Sequence, residues 1–190
     1  MALDQDKSMK DSWSFFREAL RNFRSTGAIA SSSPALVKRL VEPLPGNRPV
    51  TVVELGPGDG CVTRAILKKL HPASQLTAFE INTAFIEKLA VLEDPRLRVL
   101  PVGAEKLSEY FAAGSVDYVV SSLPLSMIPQ EIKEEILRQA RVVLGPAGQF
   151  YQYQYALQDY SLLKDYFHRV SVSFTVANLP PAFVYTCMVG

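Results

Sequence analysis

The amino-acid sequence predicts one α/β domain with a seven-stranded, mostly parallel sheet and helices on both of its faces. Apolar β-type runs alternate with helical segments from residue 50 onward, which is typical of a parallel sheet. A glycine-rich loop, Gly56–Gly60, separates the first such run from a helix. Near the end of the chain the β-type runs 170–176 and 182–189 have no helix between them. These two runs predict an antiparallel hairpin at the sheet edge.

The composition is that of an ordinary globular protein of one domain. The 190 residues are 48% hydrophobic and carry a formal net charge of +1, so no overall field attracts nucleic acid. The polar first residues lack the features of a signal peptide, and no apolar run reaches the roughly 18 residues that span a bilayer. We therefore expect a soluble, cytoplasmic protein. Cys61 and Cys187 stand alone, so neither a disulfide framework nor a metal site is predicted.

Residues 8–25 are predicted to form an amphipathic helix. Its apolar residues follow helical spacing and include Trp13, Phe16, Leu20 and Phe23. Its basic residues outnumber its acidic ones, and a basic helix with Trp and Phe on its apolar side is typical of a segment lying in a membrane interface. Packing of the same stripe against the rest of the domain is the alternative. We expect this helix and a second, cap helix to form an N-terminal unit, 1–48, ahead of the core, 49–190.

The remaining elements follow in order. Ser33 is predicted to cap, and Pro34 to start, a helix that ends at Val41. The predicted strands are 50–55, 76–80, 97–102, 116–121 and 148–155. The predicted helices between them are 61–70, 83–91, 107–112 and 130–143. Gly145-Pro146-Ala147-Gly148 is predicted to form a turn, and a helix over Tyr160–Arg169 precedes the hairpin.

The glycine loop departs from the dinucleotide-binding pattern G-x-G-x-x-G. Gly56 and Gly58 occupy the first two places, but Cys61 takes the third, and the glycine falls one residue early at Gly60. Glu54 lies two residues before Gly56, where an acid repels a pyrophosphate. The loop therefore favours a ligand with a cationic amine and no phosphates.

Three further strand ends carry groups at the sheet edge where open α/β sheets bind ligands. Glu80 ends the second strand, where a carboxylate accepts hydrogen bonds from ribose hydroxyls. Val102-Gly103-Ala104-Glu105 ends the third and is placed to contact an adenine edge, and Ser121-Ser122-Leu123-Pro124-Leu125 ends the fourth. Each has an ordinary alternative as a strand-end charge or a turn. Because these groups occur at the ends of successive strands, we favour one ligand site that they share.

The segment from Glu54 to Gly60 resembles the first motif of class I S-adenosylmethionine-dependent methyltransferases, and the terminal hairpin resembles the last two strands of that Rossmann-like fold. Within that class, the chain resembles the small soluble bacterial phospholipid N-methyltransferases, which methylate phosphatidylethanolamine. The other motifs that carry this resemblance are 27–33, Ser122-Leu123-Pro124-Leu125 and Asn178-Leu179-Pro180-Pro181-Ala182. The resemblance implies transfer of methyl groups from S-adenosylmethionine to a phospholipid amine, with S-adenosylhomocysteine as product. It also implies a peripheral location on the inner face of the membrane, which the helix over residues 8–25 would contact.

The resemblance also implies roles for individual residues. Glu54, Gly56 and Gly58 would hold the methionine end of the cofactor, and Glu80 its ribose. The usual Gly-Asp-Ala sequence after the third strand is replaced here, so Glu105 or the Ala104 backbone would contact the adenine. The whole cofactor site comprises Glu54, Gly56, Gly58, Gly60, Glu80, Ile81, Ala104, Glu105 and Ser121.

The acceptor side of the site is predicted from chemistry as well as from resemblance. An amine must lose its proton before it attacks a methyl group, and desolvation or a nearby base assists that loss. Tyr151, Tyr153 and Tyr155 alternate and so share one face of a strand, where their rings can contact a cationic amine. A half-buried sheet face is the equally weighted alternative. The predicted catalytic residues are Ser122, Pro124, Tyr151 and Tyr153.

Two other functions compete with lipid methylation. Ser122–Leu125 also resembles the Asn-Leu-Pro-Tyr motif of ribosomal RNA adenine dimethylases, but it lacks the Asn and the Tyr. That difference and the near-neutral charge disfavour RNA, whereas a soluble small-molecule acceptor stays open. A non-catalytic lipid- or partner-binding module is disfavoured by the intact glycine loop and by Glu80. The oligomeric state is not predicted.

Overall fold

The computed structural model describes residues 33–178 and 180–190. The predicted amphipathic helix over residues 8–25 therefore lies outside the described residues, and the proposed division of the chain at residue 48 stays a prediction. The helices are α1 (Pro34–Val41), α2 (Cys61–Lys69), α3 (Thr83–Ala90), α4 (Leu107–Tyr110), α5 (Gln130–Val143) and α6 (Tyr160–Tyr166). The strands are β1 (Thr51–Leu55), β2 (Gln75–Phe79), β3 (Leu97–Leu100), β4 (Val116–Ser121), β5 (Leu144–Gln154), β6 (Arg169–Thr175) and β7 (Ala182–Met188).

The strands form one seven-stranded sheet in the order β3-β2-β1-β4-β5-β7-β6. Strands β1 to β5 pair parallel with one another, whereas β7 pairs antiparallel with both β5 and β6. The predicted fold class, including the antiparallel hairpin at the end of the chain, is confirmed. A short 3-10 turn precedes α4, and another precedes α5.

The two faces of the sheet are covered by different helices. On one face, Val52 of β1 and Val120 of β4 pack with the buried side chains of α1 and α2. On the other face, Val53 of β1 and Phe150 of β5 pack with the buried side chains of α5. At the start of α1, the Ser33 hydroxyl accepts a hydrogen bond from the Leu36 amide at 3.2 Å. This contact confirms Ser33 as the cap and Pro34 as the first helical residue.

The strand register brings four strand ends to one edge of the sheet. Leu55 of β1 lies opposite Phe79 of β2 and also opposite Ser121 of β4. Ser121 lies opposite Gln152 of β5. The segments that follow β1, β2 and β4 therefore emerge together at this carboxyl edge, which is where parallel α/β sheets bind ligands.

Strand β5 begins earlier than predicted, at Leu144 rather than at residue 148. The predicted turn at Gly145–Gly148 is instead a bulge inside the strand, because pairing moves from Val116 with Leu144 to Tyr118 with Gln149. A Cβ atom at Gly148 would lie 2.8 Å from the Gly145 carbonyl oxygen. The glycine thus permits a compact bulge that a larger residue would not.

Three other elements end two or three residues earlier than predicted. Helix α4 ends at Tyr110 rather than at residue 112. Strand β3 ends at Leu100, since Pro101 has no backbone N–H to continue the pairing. Helix α6 ends at Tyr166 rather than at residue 169. The next residue, Phe167, is extended and stacks on Phe150 of the core with ring centroids 5.2 Å apart.

Candidate functional site

The loop between β1 and α2 has the backbone shape that glycine alone adopts readily. Gly56, Gly58 and Gly60 have φ angles of 67°, 58° and 79°, in the left-handed region. A Cβ atom at Gly56 would lie 2.6 Å from Cδ2 of Leu123 in the loop after β4. The glycine loop therefore lies directly against the β4–α5 segment, and the two halves of the predicted site are in contact.

Glu54 is a fully buried carboxyl group beneath this loop. Neither of its side-chain oxygens has a hydrogen-bond partner. Burial raises the pKa of Glu54 to about 8, and the charges of Glu80 and Asp59 reinforce this shift. The Thr63 hydroxyl opposes it from nearby, although it is outside hydrogen-bonding geometry with either carboxyl oxygen. A buried carboxyl group with free acceptor capacity is suited to receive a cationic amine.

Glu80 follows β2 and connects the glycine loop to the start of α3. Its Oε2 accepts a hydrogen bond from the Gly58 amide at 3.1 Å. Its Oε1 accepts from the amides of Ile81 and Asn82, each at 2.9 Å. The Glu80 amide in turn donates to the Leu100 carbonyl of β3 at 3.1 Å. These contacts fix the carboxylate at the tip of β2, beside the glycine loop.

The predicted adenine side of the site lies at the end of β3. Ala104 is buried and opens the 3-10 turn Ala104–Lys106. The Glu105 carboxyl group folds back over Gly103, into the space that a Cβ atom there would need. Ile81 is half-buried and packs on the core next to this turn. The roles of Ile81, Ala104 and Glu105 in cofactor binding stay predictions.

The segment after β4 borders the glycine loop on its other side. The Ser122 amide donates to the Leu55 carbonyl at 2.9 Å, which fixes this segment to the end of β1. Ser121 is buried at the end of the strand, and the Ser122 hydroxyl is buried without a hydrogen-bond partner. Pro124 precedes the 3-10 turn Leu125–Met127. The structure therefore brings Ser121, Ser122 and Pro124 together with the cofactor loop.

The tyrosines of β5 are less well placed than predicted. Tyr151 and Tyr153 do share a face, since both pack with the cluster under α1 and α2. Tyr151, however, is buried in the core, stacks on Tyr118 at 6.2 Å, and donates its hydroxyl hydrogen bond to Gln149, away from the carboxyl edge. The structure therefore places Tyr151 in the core, and its predicted catalytic role stays a prediction. Tyr153 is half-buried, with its ring centroid 6.0 Å from that of Tyr155, and its role stays a prediction.

The sequence analysis missed a group of buried polar residues on the opposite face of β5. Gln152 and Gln154 are buried there, and Lys133 of α5 forms a buried ion pair with Asp159 at 2.6 Å. The two glutamines alternate with the tyrosines along β5, and this alternation was the sequence feature that could have placed them on the opposite face of the strand. The ion pair joins residues 26 positions apart, so sequence spacing gave no sign of it.

The residues at the carboxyl edge fit S-adenosylmethionine. Glu54 offers an unpartnered buried carboxyl group for an ammonium, and the glycine loop allows close backbone approach. Glu80 presents a fixed carboxylate at the second strand end for a ribose. The arrangement matches a nucleoside with a cationic amino-acid tail, as predicted.

Comparison with known proteins agrees with this site. Residues 52–148 match the family model described as "Methyltransferase domain". The ornithine lipid N-methyltransferase of Singulisphaera acidiphila is 29% identical over 94% of this chain and 96% of its own length. The ribosomal RNA small subunit methyltransferase A of Caulobacter vibrioides is 36% identical, but over only 40% of this chain and 30% of its own length.

Among solved structures, the 1,6-didemethyltoxoflavin-N1-methyltransferase of Burkholderia thailandensis, determined with its substrate and S-adenosylhomocysteine, has a TM-score of 0.72. The match covers 96% of this chain and 89% of that one, at 16% sequence identity, and so concerns the fold. The family model spans more than half of this chain and includes the glycine loop, Glu80 and the Ser121–Leu125 segment. The chain therefore belongs to the methyltransferase domain family, and the S-adenosylmethionine-dependent class that its motifs predicted is confirmed.

Proposed function

We propose that this protein is an N-methyltransferase that methylates the primary amine of a phospholipid head group of the phosphatidylethanolamine type. The observation that carries the proposal is its end-to-end similarity to an ornithine lipid N-methyltransferase, which covers 94% of this chain and 96% of that relative. Both lipids present a primary amine on a polar head group. The similarity therefore supports the class of acceptor, and the phosphatidylethanolamine-type lipid follows from the motifs of the sequence.

Bound S-adenosylmethionine supplies an electrophilic methyl group, which a neutral amine attacks as the carbon–sulfur bond breaks and the new ammonium then loses a proton. The residues of this chain supply binding and orientation. Glu54 receives the cationic end of the cofactor, and Gly56 and Gly58 allow close approach of the backbone. Glu80 holds the ribose, with Ala104 and Glu105 on the adenine side. Such positioning accounts for much of the acceleration in methyl transfer.

The acceptor amine is received beside the segment from Ser121 to Pro124. Leu123 touches the glycine loop at Gly56. The segment therefore lies between the proposed cofactor site and the proposed acceptor site. The buried Ser122 hydroxyl is free to bond an amine N–H.

The membrane is the proposed source of the substrate. Residues 8–25 would lie in the lipid interface on the cytoplasmic side. A second feature supports this orientation: Tyr155, Leu157, Phe174 and Val176, which follow or end β5 and β6, are exposed apolar side chains at the carboxyl edge. Exposed apolar groups beside a lipid-modifying site are suited to insert among head groups. Within the described residues, no helix is long and apolar enough to cross a bilayer.

The test is incubation of the purified chain with S-adenosylmethionine labelled in its methyl group. Separate arms contain vesicles of phosphatidylethanolamine with an anionic lipid, vesicles of an ornithine lipid, and total RNA. We expect label in the phosphatidylethanolamine product, and none in the same arm with Glu80→Ala. Label in the ornithine lipid alone would correct the head group. Label in RNA alone, with both lipid arms blank, would overturn the proposal.

A flotation assay tests the membrane proposal separately. The full chain is expected to float with anionic vesicles at low salt and to float less at high salt, because attraction of basic residues to anionic lipid is screened. Absence of flotation at low salt would contradict it.

A further inference from the structure

Three buried polar side chains at the carboxyl end of β5 have side-chain atoms without hydrogen-bond partners. Gln154 is 5% exposed, and neither its Oε1 nor its Nε2 has a partner. Gln152 is fully buried with an unpartnered Oε1, and Asp159 is 4% exposed with an unpartnered Oδ2. Buried polar groups in native proteins are almost always satisfied by protein, water or ligand. We propose that Gln152, Gln154 and Asp159 form the site that receives the N–H groups of the methyl-acceptor amine, an inference that rests on the proposed function.

These residues lie on one face of the sheet. Alternation along β5 places Gln152 and Gln154 on the same side as Phe150, which packs in the cluster under α5. Asp159 immediately precedes α6 and is held by Lys133 of α5 at 2.6 Å. Tyr185 of β7 lies opposite Gln152 and donates its hydroxyl hydrogen bond to the Ala156 carbonyl at 3.1 Å, three residues before Asp159. Burial and the charge of Asp159 both raise the pKa of Tyr185. Asp159 therefore lies near Gln152.

The site is connected to the cofactor loop through Leu123. Gln152 Nε2 donates to the Leu123 carbonyl at 2.9 Å, and the side chain of Leu123 lies against Gly56. Because Oε1 of Gln152 is bonded to the same amide carbon as Nε2, that free acceptor also lies next to the Leu123 segment. An amine bound there is adjacent to the end of the cofactor that Gly56 approaches.

The unpartnered atoms are chiefly acceptors. The oxygens of Gln152, Gln154 and Asp159 outnumber the one unpartnered donor, Nε2 of Gln154. A ligand that matches them must donate hydrogen bonds, as a primary amine does through its N–H groups. Lys133 neutralises Asp159, so the cluster accepts N–H groups without a net negative charge that would favour the unreactive ammonium.

This chemistry makes a specific prediction about successive methylations. Each methyl group that is added replaces an N–H of the amine, and a neutral dimethylated amine has none to donate. The cluster therefore holds the unmethylated lipid better than the dimethylated one. Loss of its acceptors should slow the first methyl transfer more than the last.

The variant Gln154→Met removes the unpartnered amide with little change in volume. Its matched control is Gln139→Met in α5, a buried glutamine that accepts from the Ser108 amide and donates to Glu135, each at 2.8 Å. We measure thermal unfolding, S-adenosylhomocysteine affinity by calorimetry, and turnover on vesicles of phosphatidylethanolamine and of its dimethylated form. For Gln154→Met we expect unchanged or raised thermal stability, unchanged S-adenosylhomocysteine affinity, and an apparent KM for phosphatidylethanolamine raised about 10-fold. The apparent KM of Gln154→Met for the dimethylated lipid should change by less than about threefold. Gln139→Met should lose thermal stability and keep wild-type kinetics on both lipids.

Three results would overturn the inference. Equal slowing on both lipids, or weakened S-adenosylhomocysteine affinity, would show that Gln154 does not recognise N–H groups. Lower stability of Gln154→Met with wild-type kinetics would show that ordered water satisfies the cluster. If the wild-type chain labels no amine lipid, the proposed function fails together with this inference. If the wild-type chain labels an amine lipid and Gln154→Met has the same kinetics, only this inference fails.

Discussion

The side chain of Leu123 occupies the space that a Cβ atom at Gly56 would need, with its Cδ2 only 2.6 Å from that position. Gly56 is in the glycine loop after β1, and Leu123 is in the segment after β4, beside which we propose that the acceptor binds. The contact therefore joins the two halves of the site at one point. Because Gln152 also holds the Leu123 carbonyl, a shift of Leu123 would be transmitted to the acceptor side.

Replacement of Gly56 by alanine should disrupt both halves of the site. The new methyl group meets Leu123, and the φ of 67° adds strain for any residue with a Cβ atom. Gly114→Ala is the matched control, since Gly114 has a similar φ of 73° but its nearest atom would be 3.9 Å away. We expect each variant to lose about 1 kcal/mol of unfolding free energy from backbone strain, measured by urea denaturation. Only Gly56→Ala should also lose S-adenosylhomocysteine binding; equal affinity in both variants would contradict this.

The buried carboxyl group of Glu54 should make the stability of the ligand-free protein depend on pH. Burial raises the pKa of Glu54 from 4.5 to about 8, so folding takes up a proton between these values. The stabilising contribution is complete below the unfolded pKa and is lost as pH rises through the folded pKa. We expect the free energy of unfolding to fall with rising pH across this window, by up to about 1.4 kcal/mol per pH unit from this group. Glu54→Gln should remove this dependence of stability on pH. If the dependence persists in the variant, another titrating group causes it.

The same carboxyl group should release a proton when the cofactor product binds. An ammonium beside Glu54 favours the ionised carboxylate and lowers its pKa. Calorimetry of S-adenosylhomocysteine binding at pH 7, in two buffers with different ionisation enthalpies, measures this release directly. We expect proton release by the wild-type chain and none by Glu54→Gln. Equal proton release by both proteins would place the ammonium away from Glu54.

Glu80→Gln should loosen the glycine loop and weaken cofactor binding. The carboxylate accepts from the backbone amides of Gly58, Ile81 and Asn82, and an amide side chain turns a donor toward at least one of them. We expect a loss of about 1–3 kcal/mol in unfolding free energy and S-adenosylhomocysteine binding at least about 10-fold weaker. Glu87→Gln, an exposed position on α3, is the control and should stay within about 0.5 kcal/mol of wild type. Wild-type S-adenosylhomocysteine affinity in Glu80→Gln would show that Glu80 does not contribute to cofactor binding.

The sequence predicts well where Glu54, the glycine loop and Glu80 lie, because the determinants of their positions are local. Glu54, the glycines and Glu80 each follow a recognisable strand, and parallel pairing then brings those strand ends to one edge. The acceptor half depends on contacts between distant residues. Alternation along β5 shows that Tyr151 and Gln152 point to opposite faces, but it does not show that Tyr151 lies under α1 and α2, away from the edge. Nor does it show that Gln152 reaches the Leu123 carbonyl, because that contact depends on where the chain after β4 turns.

Asn178 connects the start of α1 to the loop between β6 and β7. Its Oδ1 accepts from the Ser33 amide at 2.9 Å, and its Nδ2 donates to the Pro180 carbonyl at 2.7 Å. Residues 1–32 join the described chain at Ser33, so this contact fixes the point at which the described chain begins. Asn178 is 5% exposed, and Asn178→Ala would leave two backbone groups without partners.

We therefore expect Asn178→Ala to lose about 1–3 kcal/mol of unfolding free energy, measured by urea denaturation. Exposed Asn47 provides the control, since Asn47→Ala should stay within about 0.5 kcal/mol of wild type. The hydrogen bonds of Asn178 involve none of the proposed cofactor residues, so S-adenosylhomocysteine affinity should be unchanged in both variants. Turnover on phosphatidylethanolamine vesicles should nevertheless fall in Asn178→Ala, because Ser33, through which the proposed membrane segment is connected to the core, would lose its hydrogen bond to Asn178. Normal turnover in a destabilised Asn178→Ala would show that the contact supports the fold and has no part in presenting the lipid.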